Sequence, residues 1–304
     1  MEQSWKQAKS VFAAALSAPL VWLVLFFLVP LAIVWGYSFG HNEGLTEIAI
    51  TGTFKNYARA IEPLYLKIFL KSAGAAALTT ALCLVIGFPV ALAITFASQK
   101  AKAWLLLLIM LPFWTNLLIR TYALIAVLRN EGYINKGLEA VWNLADKVLP
   151  LQPFQPLEMM HTNFAVIVGL VYVHLPFMVL PLYSALDRLD KSLLEASLDL
   201  GAGHMRTLFK VVVPLALPGI ASGILITFIP ALGAYLTPDL LGGPDSQMIA
   251  NVIERQFKRA NDWPFGAALS FLLMYLTFVA IAVQALLSRK KGVGALASTI
   301  SPPP

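Results

Sequence analysis

Charge is what this sequence has least of. Asp, Glu, Lys and Arg make up only 12% of its 304 residues, against 59% apolar residues, where soluble globular chains carry about 25% charged residues. A soluble domain of this size covers its surface with such side chains, so their scarcity excludes an ordinary water-soluble enzyme and indicates the bilayer as solvent. The mean hydropathy of +0.75 agrees. Cysteine is almost missing as well. Cys83 alone excludes a disulfide framework and a Cys-based zinc site, and reads as a small packing residue within an apolar run. The four histidines, His41, His161, His174 and His204, fall in no metal-ligand spacing, and His174 reads as a packing residue. The net charge of +6 does not signal nucleic acid, because of where the charges lie.

Six stretches without Asp, Glu, Lys or Arg are long enough to cross a hydrocarbon core, which takes about 20 helical residues. They are 10–40, 72–99, 103–119 (continuing past Arg120 to Leu128), 159–186, 211–238 and 263–288. These predict an all-α integral membrane protein with six transmembrane helices. The first run is too long for a signal-peptide core, and its small residues precede the Leu/Phe/Val block, so it is expected to remain as a helix. With the N-terminus inside, cytoplasmic segments hold eleven Lys and Arg and outer segments nine, a bias that places both termini in the cytoplasm. Lys71 reads as a snorkelling anchor.

The expected organisation is a cytoplasmic N-terminus over 1–17, a first transmembrane helix and outer loop over 18–65, a transmembrane domain over 66–288, and a cytoplasmic tail over 289–304 that reads as disordered. Prolines fall within the spans at Pro30, Pro89, Pro112, Pro176, Pro181, Pro218 and Pro230. Each removes a backbone donor, giving either tolerated kinks or helices bent around a pathway. Outer loops 43–67, 129–158 and 239–262 are large enough to form a landing surface, with 144–156 read as irregular.

The most informative segment is the cytoplasmic loop 187–214. Ser192 and Glu195 have capping-box spacing, which predicts a short helix starting at Ser192. Gly201 and Gly203 read as terminators. A second short helix would carry Met205, Leu208 and Phe209, and Pro214 suits the first turn of the next span. The result is a helix-turn-helix outside the membrane with exposed apolar residues that need a covering partner.

Glu195-Ala196-Ser197, then Gly201, then Val211-Val212-Val213-Pro214 resembles the coupling motif of ABC importer permeases, Glu-Ala-Ala, three residues, Gly, nine residues, Ile-x-Leu-Pro. It departs from that pattern at Ser197 and at the valines, all changes of similar volume. Further stretches, Phe113-Trp114-Thr115-Asn116, Leu175-Pro176-Phe177-Met178, residues 236–244 (LTPDLLGGP) and 262–268 (DWPFGAA), are similar to the first permease subunit of spermidine/putrescine importers.

This resemblance implies the type I ABC importer permease fold in a bacterial inner membrane. It also implies a second homologous permease, an ATPase dimer, a periplasmic substrate-binding protein and a polyamine substrate. Hetero- and homodimeric permease pairs are both compatible with it. Glu195, Ala196, Ser197, Asp199, Gly201 and Pro214 would form the coupling contact, with residues 192–214 docking on the ATPase. No Walker A pattern occurs in the chain. ATP and Mg would therefore belong to the partner ATPase, with no cofactor on this chain and no catalytic residue. Related importers of 4-aminobutyrate, opines or other small amines share much of this vocabulary. A proton-coupled secondary carrier would need intramembrane carboxylates and an internal repeat, and the spans contain no carboxylate. A six-span intramembrane protease is excluded by the missing glycine before Ser222-Gly223.

A polycation pathway needs carboxylates and aromatic faces. Phe228, Leu232, Tyr235 and Asp239 recur at helical spacing and are expected to form one stripe ending in a carboxylate on the outer side. Their alternative is ordinary helix packing. Trp114 and Tyr122, two helical steps apart, and Tyr172 are further candidates. Arg120 is an intramembrane charge that would repel a polyamine; it reads as paired with a carboxylate or as snorkelling outward.

Overall fold

The computed structural model describes residues 9–44, 47–147 and 152–300. Their regular elements are helices and one small strand pair. The helices are α1 (Lys9–Leu23), α2 (Val29–Tyr37), α3 (Lys55–Ala60), α4 (Pro63–Phe96), α5 (Gln99–Met110), α6 (Leu117–Leu128), α7 (Tyr133–Asp146) and α8 (Asn163–Leu186), followed by α9 (Lys191–Asp199), α10 (His204–Thr207), α11 (Val213–Leu232), α12 (Leu236–Leu241), α13 (Ile249–Lys258) and α14 (Trp263–Ile300). Strands β1 (Gly40–Glu43) and β2 (Glu47–Ile50) pair antiparallel, with Gly40 opposite Ile50 and Glu43 opposite Glu47.

Four of the six expected spans are helices long and apolar enough to cross a membrane: Ala15–Tyr37, Pro63–Phe96, Asn163–Leu186 and His204–Leu232. The third is not one helix. It breaks between Gln99–Trp114 and Leu117–Asp146 with a bend of 99°. Pro112 lies in a 3₁₀ turn (Leu111–Trp114), and Asn116 then starts a new helix by accepting the Leu118 N–H on its side chain at 2.8 Å. A proline followed by a strong N-cap within the expected span makes a corner rather than a kink. The sixth is apolar over Trp263–Val279. Its helix continues to Ile300, so residues 289–300 are helical where a disordered tail is expected. Ala, Leu, Lys and Arg extend an already nucleated helix at little cost, and the first proline comes only at 302.

Two π turns sit in the spans, at Val24–Leu28 and Leu208–Val212. Pro30 and Pro214 follow them. Each turn contains the carbonyl four residues before its proline, Phe26 or Lys210, which the ring cannot bond and would crowd. Widening the helix there removes the clash without ending the helix.

The chain divides into two compact units, Met1–Leu66 with Val252–Leu276, and Lys67–Asn251 with Thr277–Pro304. In the first, residues 15–29 of the N-terminal span are exposed on every side. Asn56 ties the hairpin base by donating to the Ser38 and Gly40 carbonyls at 3.0 and 2.8 Å. The 262–268 motif is a packing corner. Asp262 accepts the Phe265 N–H at 3.3 Å and pairs with Arg59 at 2.8 Å. The Arg59 guanidinium lies 3.9 Å from the Phe265 ring centroid, and Phe265 is fully buried.

In the second unit α8 is the central element, buried along its length. Helices associate in lipid by close van der Waals approach, which favours small residues. The buried residues of α4 are mostly small, Ser72, Ala76, Thr79, Cys83, Gly87 and Ala91 among them; Cys83 meets the Val171 carbonyl of α8, and a Cβ on Gly87 would stand 3.2 Å from Val179. On α11, Gly219 lies against Ala185 and the Pro181 carbonyl, and Gly223 against Met178. Cys83 is buried here as a packing residue. His174, also buried, bonds the Leu170 carbonyl through Nδ1 at 2.8 Å. The 236–244 motif also packs. Thr237 abuts Gly169, and Gly243 lies against the His161 carbonyl so closely that a Cβ would be at 2.5 Å. Helix α7 is clasped by an extended segment: Asn135, 2% exposed, donates to the Leu157 carbonyl and accepts its N–H at 3.0 and 2.9 Å.

Candidate functional site

The loop after α8 folds as a helix and a turn feeding directly into the next span. Its first helix starts one turn position earlier than the capping-box spacing implies. Asp190, not Ser192, is the N-cap, accepting the Ser192 N–H at 2.9 Å. An ionised carboxylate at a helix start also complements the helix dipole, which outweighs a serine hydroxyl two residues on. That bond holds the Asp190 carboxyl below its ordinary value. Glu195 is left free of the cap and exposed.

The C-terminus of α9 is a Schellman turn. Gly201 has φ +80° and donates to the Leu198 carbonyl at 2.8 Å, while Ala202 donates to the Ser197 carbonyl at 3.1 Å. Only Gly201 is a terminator. Gly203, at φ −69°, instead opens α10. Nor is there a separate second helix. Residues 204–232 form one continuous helix, with Pro214 inside it just past the π turn. Ser197, the departure from the Glu-Ala-Ala pattern, has a role: its hydroxyl meets that of Thr207 at 2.9 Å, stitching α9 to the span that follows.

Glu195, Ala196 and Asp199 are exposed on α9, and Gly201 on the turn. Around them stand Leu193, Met205 and Phe209, with Leu200 89% exposed at the tip. Behind α9 runs an apolar groove of ≈ 550 Å³ lined by Leu92, Phe96, Leu194, Leu198, Leu208 and Val212. The loop is braced at its base by Lys102, which donates to Asp187 at 2.6 Å. That bond holds the Asp187 carboxyl below its usual range. A depressed carboxylate stabilises above its unfolded pKa and loses the contribution as pH falls through the lower folded value. Acidification from pH 7 to 5 therefore leaves this strut formed.

The expected pathway stripe is not one face. Helix α11 ends at Leu232, Gly233 caps it, and Tyr235 starts α12. Pro230 and Gly233 together stop the helix that the spacing requires. Leu232 is buried, Phe228 half-buried, and Tyr235 and Asp239 exposed. Asn251 fixes this corner by donating to the Tyr235 carbonyl at 2.8 Å. The corner at 115–116 likewise separates Trp114 from Tyr122, so they do not stack along one helix. Trp114 is 78% and Tyr122 58% exposed. Tyr172 lines an apolar cavity of ≈ 640 Å³ between α4 and α8, together with Asn163 and Phe164. Arg120 is half-buried, and its Nε is buried without a hydrogen-bond partner. Among the described residues no carboxylate pairs with it. Among the described residues, no group of three or more metal-ligating side chains converges.

The family model for binding-protein-dependent transport system inner membrane components matches residues 6–293. The chain is 43% identical over 253 residues to the spermidine/putrescine transport system permease protein PotB of Salmonella typhimurium, covering 83% of this chain and 85% of that one. It is 42% identical to the Escherichia coli K12 protein of the same name, covering 83% and 88%. Among solved structures, a bacterial ABC transporter that imports the acidic polysaccharide alginate aligns with TM-score 0.73 at 15% identity, over 95% of this chain and 99% of that one. With the motif in a Schellman-capped loop, a helical membrane fold shared with an importer permease, and that identity, the chain belongs to the family of binding-protein-dependent transport system inner membrane components.

Proposed function

We propose that this chain is the first permease subunit of an ATP-driven ABC importer that carries polyamines, spermidine or putrescine, across the bacterial inner membrane. The observation that carries the reading is 43% identity along 83% of the chain to permeases named for spermidine/putrescine transport. The chain works beside a second homologous permease, above an ATPase dimer that binds ATP and Mg, and below a periplasmic binding protein. Both termini and the loop 187–214 face the cytoplasm, in agreement with the Lys and Arg bias. Exposed Leu193, Leu200, Met205 and Phe209 around Glu195 and Asp199 form the surface that the ATPase covers. ATPase closure moves α9, and the continuous helix from His204 transmits that movement into the membrane. Domain 66–288 is the transporting body, following the first helix and outer loop over 18–65.

The test is uptake by proteoliposomes holding this chain with its partner permease, ATPase and binding protein. Labelled spermidine should accumulate only with internal ATP and should resist competition by excess 4-aminobutyrate. Accumulation of 4-aminobutyrate in place of spermidine overturns the substrate, and uptake without ATP overturns the importer.

Asp239 and Tyr235 stand together at the outer corner between α11 and α12, and a carboxylate beside an aromatic face suits an ammonium group. Asp239→Asn should raise the half-saturating substrate concentration about tenfold, the equivalent of roughly 1.4 kcal/mol, with unchanged uptake at saturation. Unaltered uptake at limiting spermidine removes Asp239 from the route.

A further inference from the structure

Arg120 is an ionisable side chain within a span, in the first turn of α6. Its Nε is buried and has no hydrogen-bond partner, and among the described residues no ion pair includes it. Its depth is set by its neighbours along the chain: the Phe113 and Phe177 ring centroids lie 4.8 Å apart and Leu124 faces Gly169, which puts Arg120 level with His174 on α8. His174 lies midway along the 24-residue α8, about 17 Å from either end at 1.5 Å per residue. Arg120 therefore sits near the centre of the bilayer, about 15 Å of hydrocarbon from either headgroup layer. A guanidinium at that depth needs an anion.

This chain has none to offer. Its sixteen Asp and Glu all fall outside the spans; along α4, α5 and α6 there is no carboxylate between Glu62 and Glu131, and in α8 none between Glu158 and Asp187. The other buried side-chain atoms without a partner among the described residues, on Thr79 and Thr227, are neutral hydroxyls. A polyamine is itself cationic.

We propose that Arg120 is a mid-membrane anchor for the second permease subunit, pairing with an Asp or Glu carried within a span of that subunit. The proposal rests on the reading that the chain works beside a second permease. Arginine suits the task because its planar fork meets a carboxylate through two parallel hydrogen bonds and keeps its charge in apolar surroundings.

The test is recovery of the second permease, co-expressed with the whole transporter, on a tag carried by this chain. Arg120→Glu should lower recovery roughly thirtyfold or more and Arg120→Gln severalfold, as for a buried charge left without its partner. Exchanging the second permease's intramembrane carboxylates for Lys, one at a time, should restore recovery with Arg120→Glu at one position. That rescue separates lost pairing from misfolding. If Arg120→Glu prevents accumulation of the chain, the dissociation rate of the Arg120→Gln pair decides, and a wild-type rate overturns the proposal. Wild-type recovery with Arg120→Glu, or no rescuing exchange, also overturns it, as does intact pairing with altered transport of carboxylate-bearing compounds, which would make Arg120 a substrate contact. Recovery needs no substrate. A transporter that assembles as described but fails to carry spermidine counts against the polyamine assignment alone.

Discussion

Gly201→Pro should abolish ATP-driven uptake while leaving the membrane helices folded and the binding protein fully able to capture its ligand. Gly201 has φ +80°, and proline is locked near −65°. The substitution also deletes the N–H that closes the Schellman turn on the Leu198 carbonyl. Space is not the issue, since a Cβ on Gly201 would meet nothing within 4 Å. The damage is conformational and local, turning the exit of α9 away from the Ser197–Thr207 stitch. Gly201→Ala separates the causes. It keeps the N–H and adds only the left-handed penalty of roughly 1–2 kcal/mol, so uptake should fall severalfold rather than vanish. Transport rates in proteoliposomes with matched amounts of each variant read both effects. Near-normal uptake with Gly201→Pro sinks the coupling role of the turn.

Gly219→Val should prevent the protein from folding at all. A single Cβ at that position would stand 2.3 Å from the Ala185 Cβ and 2.9 Å from the Pro181 carbonyl oxygen. One of those atoms is backbone and neither belongs to a flexible side chain, so the α8–α11 contact must open. Overpacking of this kind costs about 1–3 kcal/mol for one or two methyl groups, and here it falls on the central helix pair, where small residues are the source of association. Gly219→Ala should lower the thermal midpoint of the detergent-solubilised protein measurably, and Gly219→Val should leave little monodisperse protein. A valine variant that purifies and melts like the wild type refutes this packing.

Charge-free runs made the helices readable, because lipid imposes length and apolarity on any span. The loop over 187–214 was readable for a different reason. Its spacing encodes a turn geometry, and Gly201 is where the left-handed residue falls. What escaped was whatever depended on a choice between competing local signals. Asp190 displaced Ser192 as cap because a charged acceptor nearer the helix start wins. The corner at Asn116 and the break at Gly233 escaped because hydropathy continues across both, while the caps that end the helices are single residues. The strands at 40–43 and 47–50 and the helices α7 and α13 lie between spans in segments of polar composition, where no charge-free run marks an element. The unpartnered Nε of Arg120 was not readable from spacing, since carboxylate pairing is a property of three-dimensional neighbours.

The π turn at Leu208–Val212 carries one more residue than the α-helix around it would hold. In an α-helix each residue advances the azimuth by about 100°, so one extra residue sets the phase of everything beyond it. The loop below and the lipid-buried faces above are thus keyed to each other through a single insertion. Losing that residue would let the backbone relax to ordinary α geometry, and the helix would remain intact. It would then present α9 rotated by about a quarter turn about the axis of the span. In this chain the angle at which the loop meets its surroundings is written in residue count, upstream of Pro214, rather than in the identity of the side chains that make the contact.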